Sequence, residues 1–200
     1  DIRSVLLTGA GDCFCAGNDL DAFLSIDASE TSSLDFMHTI AAFDKPLVAA
    51  VQGRAVGIGT TMLFHCDLVY ASPDASFLMP FVTLGLVPEA ASSLIAPAVL
   101  GMGRAARMLL LAEPLSAQEA EAAGFVAGVV PEDQLLDHAR EKTARLAKLP
   151  SRALAVTRRL LKSSQAAAVR ARMDEENALF AEALTSPEAR EIIAGFFARR

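Results

Sequence analysis

The stretch KPLVAAVQGRAVG, residues 45–57, decides the fold class of this chain. Residues 46–51 form an uninterrupted apolar run of strand length, which predicts a strand buried on both faces of its sheet. Residues 53–59 predict a glycine-rich turn, and residues 60–65 predict a short buried helix. Because a sheet buried on both faces must be covered by helices, we expect an α/β fold.

Further strands and helices are expected on both sides of this stretch. Short apolar runs predict additional strands at residues 2–8, 68–71, 76–79 and 126–130. Apolar residues at helical spacing predict helices at residues 34–43, 90–100, 104–111 and 116–123, and only helices after residue 133. Loops are predicted at residues 13–20, which contain a glycine, and at residues 25–33, which should form a mobile surface loop. We therefore expect an α/β core over residues 1–140 and a helical region over residues 141–200.

Two apolar faces in the helical region leave two interpretations open. Val169, Met173, Phe180 and Leu184 share one helical stripe, and Ile192, Ile193, Phe196 and Phe197 crowd one face of the last helix. These faces either pack on their own domain or are buried between subunits.

The composition narrows the classes of partner. The 200 residues are 52% hydrophobic and carry a net charge of −6, which argues against nucleic acid and anionic membranes as partners. No apolar run reaches the length of a membrane span. A local cluster of Lys and Arg could still bind an anionic ligand.

The cysteines indicate a reducing compartment, which we expect to be the cytoplasm. Cys13, Cys15 and Cys66 are an odd number in a chain of this length and form no disulfide framework. A metal site that combines them with His65 is disfavoured, because the C-x-C spacing is atypical for zinc. The sequence opens inside a predicted strand, so we expect the natural protein to begin upstream, where a targeting segment could lie.

Glu89 is the most distinctive ionisable residue. It lies in GLVPEAASS, residues 85–93, where no neighbour supplies a cation. A carboxyl group in such surroundings should bind its proton more tightly, which suits a proton shuttle near neutral pH. The alternative is a helix start, because Pro88 and Glu89 also suit a first helical turn.

Two glycine-containing loops could supply backbone N–H donors to a developing oxyanion. One is CAGND, residues 15–19, and the other is GIG, residues 57–59. Neither matches a dinucleotide fingerprint or a P-loop, and each alone is a weak signal.

Taken together, these motifs resemble the crotonase (enoyl-CoA hydratase/isomerase) superfamily. The resemblance covers essentially the whole chain, although the N-terminal strand pair of the family is expected to be missing. It is carried by FCAGNDL (14–20), KPLVAAVQGRAVG (45–57), CDLVYA (66–71), LSAQEA (115–120), GFV (124–126) and SPEARE (186–191) with Phe196.

The resemblance implies a spiral of ββα turns with a C-terminal helical trimerisation region, and therefore a homotrimer or a dimer of trimers. It implies an acyl-CoA thioester as substrate, held by the backbone amides of Asn18 and Ile58. The positions of the two glutamates that hydratases use hold Thr61 and Phe81 here. The segment MPFVTLGLVPEAASS, residues 79–93, is instead similar to the enoyl-CoA isomerase branch, whose catalytic glutamate would be Glu89.

The activity expected from this resemblance is conversion of a 3-enoyl-CoA to the trans-2-enoyl-CoA, with no cofactor beyond the coenzyme A of the substrate. Arg54 is a candidate for the coenzyme A phosphate, whereas His38, His65, His138, Asp19 and Asp21 suit structural positions. The alternatives are a hydratase or another reaction of the family, and a non-catalytic acyl-CoA-binding subunit. The residues expected to bind substrate are Ala16, Gly17, Asp19, Gly57, Gly59, Thr61, Met62, Phe81, Leu84 and Leu86.

Overall fold

The computed structural model describes residues 2–20, 23 and 32–197, which form a mixed α/β fold with a helical C-terminal region. The strands in this part of the chain are β1 (Val5–Thr8), β2 (Cys13–Cys15), β3 (Leu47–Val51), β4 (Arg54–Val56), β5 (Leu68–Ala71), β6 (Ser76–Leu78), β7 (Leu115–Ser116) and β8 (Gly128–Val129). The helices are α1 (Ser32–Ala42), α2 (Ile58–Thr61), α3 (Ser92–Leu100), α4 (Met102–Leu110), α5 (Ala117–Ala122), α6 (Glu132–Lys148), α7 (Ser151–Ser163), α8 (Ala166–Thr185) and α9 (Pro187–Phe197). Short 3-10 helices cover Met62–His65 and Phe81–Leu84.

The strands form two four-stranded sheets, and β1 to β6 alternate between them. One sheet has the order β1-β3-β5-β8 and is parallel throughout. The other has the order β2-β4-β6-β7, in which β2, β4 and β6 are parallel and β7 is antiparallel. From β1 to β6, each successive pair of strands adds one strand to each sheet, so the chain advances as a spiral.

Strand β3 is buried on both faces, as its apolar run predicts. All five of its residues are buried. Val48 and Ala50 pack towards α6, where they meet Leu135 and Ala139. Ala49 and Val51 belong to the main core cluster on the other face of the sheet.

Several predicted loops and boundaries differ in the structure. The predicted turn at residues 53–59 contains β4, and the predicted loop at residues 13–20 begins with β2. Of the expected mobile loop, residues 25–31 lie outside the described part of the chain, and residues 32–33 open α1. Helix α6 spans both sides of residue 140, and the division of the chain expected there stays a prediction.

The stripe on α8 packs on its own chain. Met173, Phe180 and Leu184 are buried without any second subunit. In contrast, α7 has no buried residue, and Leu161 on that helix is 78% exposed. Within the described ranges, no helix has the length and apolar character needed to cross a bilayer.

Candidate active site

The ends of three parallel strands converge on one large cavity. β2, β4 and β6 are neighbours in the second sheet and run in the same direction. Their carboxyl ends therefore lie at one edge of the sheet, and the segment that follows each strand borders a cavity of about 940 Å³. These segments supply Ala16, Gly17, Asn18, Gly57, Ile58, Pro80, Phe81, Thr83, Leu84 and Leu86 to its wall.

The C-terminal helices complete the wall. Phe180 of α8 and Ile192 and Phe196 of α9 line the cavity, as does Phe23. Phe23 and Phe180 meet edge to face, with ring centroids 6.0 Å apart. The cavity therefore has an apolar side formed by residues that lie more than 150 positions apart in the sequence.

The two loops predicted to carry amide donors both lie at this cavity. Within the described part of the chain, the amides of Asn18 and Ile58 donate no hydrogen bond to another residue. Gly57 directly before α2 has φ 55° and ψ −120°, a conformation that residues with a side chain rarely adopt. This turn leaves the amide of Ile58 at the start of the helix, where it has no partner inside the helix.

Glu89 is a buried carboxyl group bound to helix α2, whose first residue, Ile58, lines this cavity. Its side chain is 3% exposed, and Oε1 accepts a short hydrogen bond from Thr61 Oγ1. Thr61 ends the short helix α2 that Ile58 begins. Burial raises the pKa of Glu89 from 4.5 to about 7, while the Thr61 hydrogen bond lowers it and the nearby Glu176 carboxyl raises it. The carboxyl group is therefore suited to exchange a proton near neutral pH.

The backbone after Glu89 makes a sharp elbow. Ala90 and Ala91 both have positive φ angles, of 61° and 56°. The carbonyl oxygen of Ala90 lies 2.9 Å from His65 Nε2. Burial lowers the pKa of His65 to about 4, so the ring is neutral at pH 7 and Nε2 carries the hydrogen that it donates.

Glu176 of α8 holds the other side of the elbow. Its Oε2 accepts from the amide of Ala91 at 2.5 Å, and its Oε1 accepts from the amide of Ser93 at 3.0 Å. Sequence reasoning missed this residue. The sequence did contain one signal for it. Glu176 stands three positions after Met173 and four before Phe180, so a charged residue interrupts an apolar helical stripe.

The predicted site residues divide into two groups. Ala16, Gly17, Gly57, Phe81, Leu84 and Leu86 line the cavity, together with Asn18 and Ile58. Gly59, Thr61 and Met62 do not line it, because Gly59 lies against Cys15, Thr61 is buried on Glu89 and Met62 packs into the core. Asp19 and Glu89 are also absent from the wall.

Arg54 lines the cavity and is exposed, and its contact with the coenzyme A phosphate stays a prediction. Cys13 also lines the cavity, and its thiol donates to the carbonyl of Arg54 at 3.0 Å. Within the described ranges, no group of three or more His, Cys, Asp or Glu side chains is arranged to hold a metal ion.

The sequence and the fold agree in their similarity to known proteins. The family model described as enoyl-CoA hydratase/isomerase matches residues 1–200. Rat enoyl-CoA delta isomerase 2 is 36% identical over 208 residues, which cover all of this chain and 53% of that protein. The 2,3-dehydroadipyl-CoA hydratase of Escherichia coli is 32% identical over 202 residues, covering all of this chain and 79% of that protein. The chain thus spans about half the length of the rat isomerase.

A solved structure extends the similarity to three dimensions. The enoyl-CoA hydratase/isomerase from Pseudoalteromonas atlantica superposes with a TM-score of 0.93 at 43% sequence identity, covering 99% of this chain and 79% of that one. The chain therefore belongs to the enoyl-CoA hydratase/isomerase family of the crotonase superfamily. The family and the fold expected from the sequence are confirmed.

Proposed function

We propose that this protein is an enoyl-CoA isomerase, which moves the double bond of a 3-enoyl-CoA to the trans-2 position. The proposal rests chiefly on Glu89, a buried carboxyl group whose pKa is raised by burial to about 7 and which is bound to helix α2 at the cavity. Thr61 and Phe81 occupy the positions that resemblance assigns to the two hydratase glutamates, and neither can act as a carboxylate base. A relative named as an enoyl-CoA delta isomerase supports the same reaction.

The reaction follows from one base and two amide donors. The thioester oxygen accepts hydrogen bonds from the amides of Asn18 and Ile58, which stabilises negative charge on that oxygen. The Glu89 carboxylate takes the C2 proton, and the electron pair of the C2–H bond forms the new C2=C3 bond through a dienolate. The protonated carboxyl group then returns a proton to C4 as the C3=C4 bond is lost.

The surroundings of Glu89 suit both halves of this reaction. A carboxyl group with a pKa near 7 is a competent base and its conjugate acid a competent donor at neutral pH. Apolar residues such as Phe81, Leu84 and Leu86 border the cavity and would exclude water, which protects the dienolate and suppresses hydration.

Substrate binding must bring the carboxyl group of Glu89 to the cavity. In this structure the group is bound to Thr61 and does not form part of the cavity wall. We infer that it exchanges the Thr61 hydrogen bond for contact with C2 when the thioester binds. The hydroxyl group of Thr61 then binds Glu89 only before the substrate arrives and takes no part in the reaction.

A paired assay tests the proposal against hydration. The protein is incubated separately with 3-hexenoyl-CoA and 2-hexenoyl-CoA, and the absorbance of the conjugated thioester is followed. An isomerase makes absorbance rise with the first substrate and leaves the second unchanged. Loss of absorbance from the second with no reaction of the first would instead assign a hydratase, an activity named for the Escherichia coli relative.

Replacement of Glu89 identifies the base. Glu89→Gln keeps the shape of the side chain and should lower kcat by about a hundred- to ten-thousandfold. Glu182→Gln on the exposed side of α8 is the matched control and should retain activity. An unchanged rate in Glu89→Gln would leave the non-catalytic acyl-CoA-binding subunit as the better interpretation.

The proposal also includes the assembly and the compartment. We propose a homotrimer or a dimer of trimers, supported by the exposed apolar side chains Leu110 and Leu161. A monomer by sedimentation would contradict this assembly. We further propose that no cofactor is needed beyond the coenzyme A of the substrate, and that free Cys13, Cys15 and Cys66 reflect a reducing compartment such as the cytoplasm.

A further inference from the structure

The elbow after Glu89 is unfavourable for the residues that form it. Ala90 and Ala91 have left-handed backbone conformations, which a Cβ atom disfavours and which glycine would adopt more readily. Such conformations persist only where the surrounding structure holds them. The direction of the Glu89 side chain therefore depends on the contacts that hold Ala90 and Ala91 in this conformation.

Helix α3, which begins directly after the elbow, has no capping side chain of its own. The capping position is taken by Glu176 of α8, which lies 85 residues after Ala91 and 83 after Ser93. It is 4% exposed, and each of its two oxygens accepts one backbone amide, from Ala91 and Ser93. Two accepting oxygens favour the charged carboxylate.

We propose that Glu176 is a positioning residue that fixes the Ala90–Ala91 elbow and thereby aims the carboxyl group of Glu89 at the substrate. This inference rests on the proposed function, because it assigns Glu176 a role through the base of that reaction. Both oxygens of Glu176 are taken by the amides of Ala91 and Ser93, so its effect on the substrate is exerted through the elbow that carries Glu89.

The two hydrogen bonds by which Glu176 holds the elbow are called the clamp. Helix α8 carries this clamp and also borders the substrate cavity. Phe180 lies one helical turn after Glu176 and lines the cavity, and Met173 lies one turn before it and is buried. A single helix therefore supplies both a wall of the cavity and the clamp of the elbow. The C-terminal region consequently contributes to the proton-transfer step as well as to the shape of the cavity.

The charge of Glu176 also has an electrostatic effect that a neutral side chain in the same position would lack. The charge of Glu176 raises the pKa of Glu89, after the larger effect of burial. Burial raises the pKa of Glu176, whereas its hydrogen bonds with Ser93 and Ala91 and the charge of Arg172 on the same helix act to lower it. Arg172 also donates to Ser93 Oγ at 3.2 Å and pairs with Glu175. His65 on the other side of the elbow is neutral at pH 7, and Lys162 contributes to that.

Glu176→Gln tests the inference with 3-hexenoyl-CoA as substrate and Glu182→Gln as the matched control on the same helix. Gln offers one accepting oxygen in place of two, so we expect kcat to fall by about ten- to a hundredfold while KM changes by less than about threefold. Because the negative charge is lost, the acid limb of the kcat–pH profile should move to lower pH. A kcat within about twofold of the wild type, with an unmoved acid limb, would overturn the inference.

Glu176→Asp separates position from charge and serves if the Gln variant does not fold. Asp keeps the negative charge, but its side chain is one methylene too short to reach both amides. We expect a lower kcat and an acid limb that stays in place. Wild-type kcat in Glu176→Asp would contradict the positioning role.

A measurement without substrate keeps this inference distinct from the proposed function. Carboxyl-carbon NMR titration of the free protein follows Glu89 directly, with its resonance assigned by its absence in Glu89→Gln. A lower Glu89 pKa in Glu176→Gln supports the clamp even if the wild type acts on neither hexenoyl-CoA. An unchanged Glu89 pKa counts against the clamp even in an active isomerase.

Discussion

Gly59 of α2 lies directly against Cys15 at the end of β2. A Cβ atom placed on Gly59 would be 2.7 Å from the Cβ atom and 2.8 Å from the carbonyl oxygen of Cys15. These distances are shorter than real Cβ contacts, so only glycine fits without movement of the backbone. Because residues 16–18 directly follow β2 and residues 57–58 open α2, this contact sets how closely their amides approach each other.

Gly59→Ala should therefore disturb both stability and catalysis. Forcing a methyl group into this contact should cost about 1 to 3 kcal/mol in the free energy of unfolding. Moving the two loops apart should also lower kcat, because the amides of Asn18 and Ile58 act on one oxygen atom. Urea unfolding and the 3-hexenoyl-CoA assay measure the two effects.

Gly103→Ala is the control for this substitution. Gly103 lies inside α4, and a Cβ atom there would meet nothing within 4 Å. Alanine is favoured over glycine inside a helix, so stability should stay the same or rise by up to about 1 kcal/mol. Equal stability of the two variants would show that the contact between Gly59 and Cys15 is not tight.

Thr61→Val should shift the titration of Glu89 upward. Valine keeps the shape of threonine but removes the hydroxyl group that donates to Glu89 Oε1 and lowers its pKa. The acid limb of the kcat/KM–pH profile, which reports the pKa of Glu89 before substrate binds, should therefore move to higher pH. Thr61→Ser keeps the hydroxyl group and should leave the limb in place. A Val variant that titrates like the wild type would contradict the hydrogen bond.

The raised pKa of Glu89 should make the protein less stable as the pH rises. Folding raises this pKa from 4.5 to about 7, so the folded state keeps a proton that the unfolded state releases. The resulting stabilisation is fully present below pH 4.5 and is lost as the pH rises through 7. Its size corresponds to roughly 3 kcal/mol.

Glu89→Gln removes this dependence because Gln does not titrate. The free energy of unfolding of the variant minus that of the wild type should therefore increase between pH 5 and pH 8, measured by urea unfolding at each pH. Glu182→Gln should show no comparable trend, because Glu182 is exposed. A difference that stays constant over this range would mean that Glu89 titrates normally.

The strands of the first sheet were predictable from the sequence, whereas of the second sheet only β6 was. Strand β3 is a continuous apolar run whose burial on both faces can be read directly. β2 and β4 each have three residues and β7 has two, which is too short for any alternation to be detected. Strands this short form because their neighbours hold them, so their presence depends on tertiary pairing.

The candidate site also contains one residue whose property the sequence predicted and one residue that the sequence did not reveal. The uncharged surroundings of Glu89 in the sequence predicted a raised pKa, and burial in the fold does raise it. The sequence did not reveal Glu176, because its link to the elbow joins residues 85 positions apart. Local sequence identifies a group that lacks a partner nearby, but it cannot identify a partner that the fold brings from a distant helix.

Asp67→Asn should release helix α7 from the body of the protein. No residue of α7 is buried, so polar contacts must hold it. Arg158 Nε contacts both carboxylate oxygens of Asp67, at 2.7 and 2.9 Å, and Lys162 lies 3.2 Å from one of them. Removing the charge of this mostly buried partner should cost about 2 to 4 kcal/mol in the free energy of unfolding and increase hydrogen exchange in residues 151–163.

Asp137→Asn is the control for this substitution, because its partner Arg140 is an exposed neighbour on α6. It should change the free energy of unfolding by less than about 0.5 kcal/mol. Unaltered exchange in α7 after Asp67→Asn would mean that its apolar side chains, and not this ion pair, hold the helix in place.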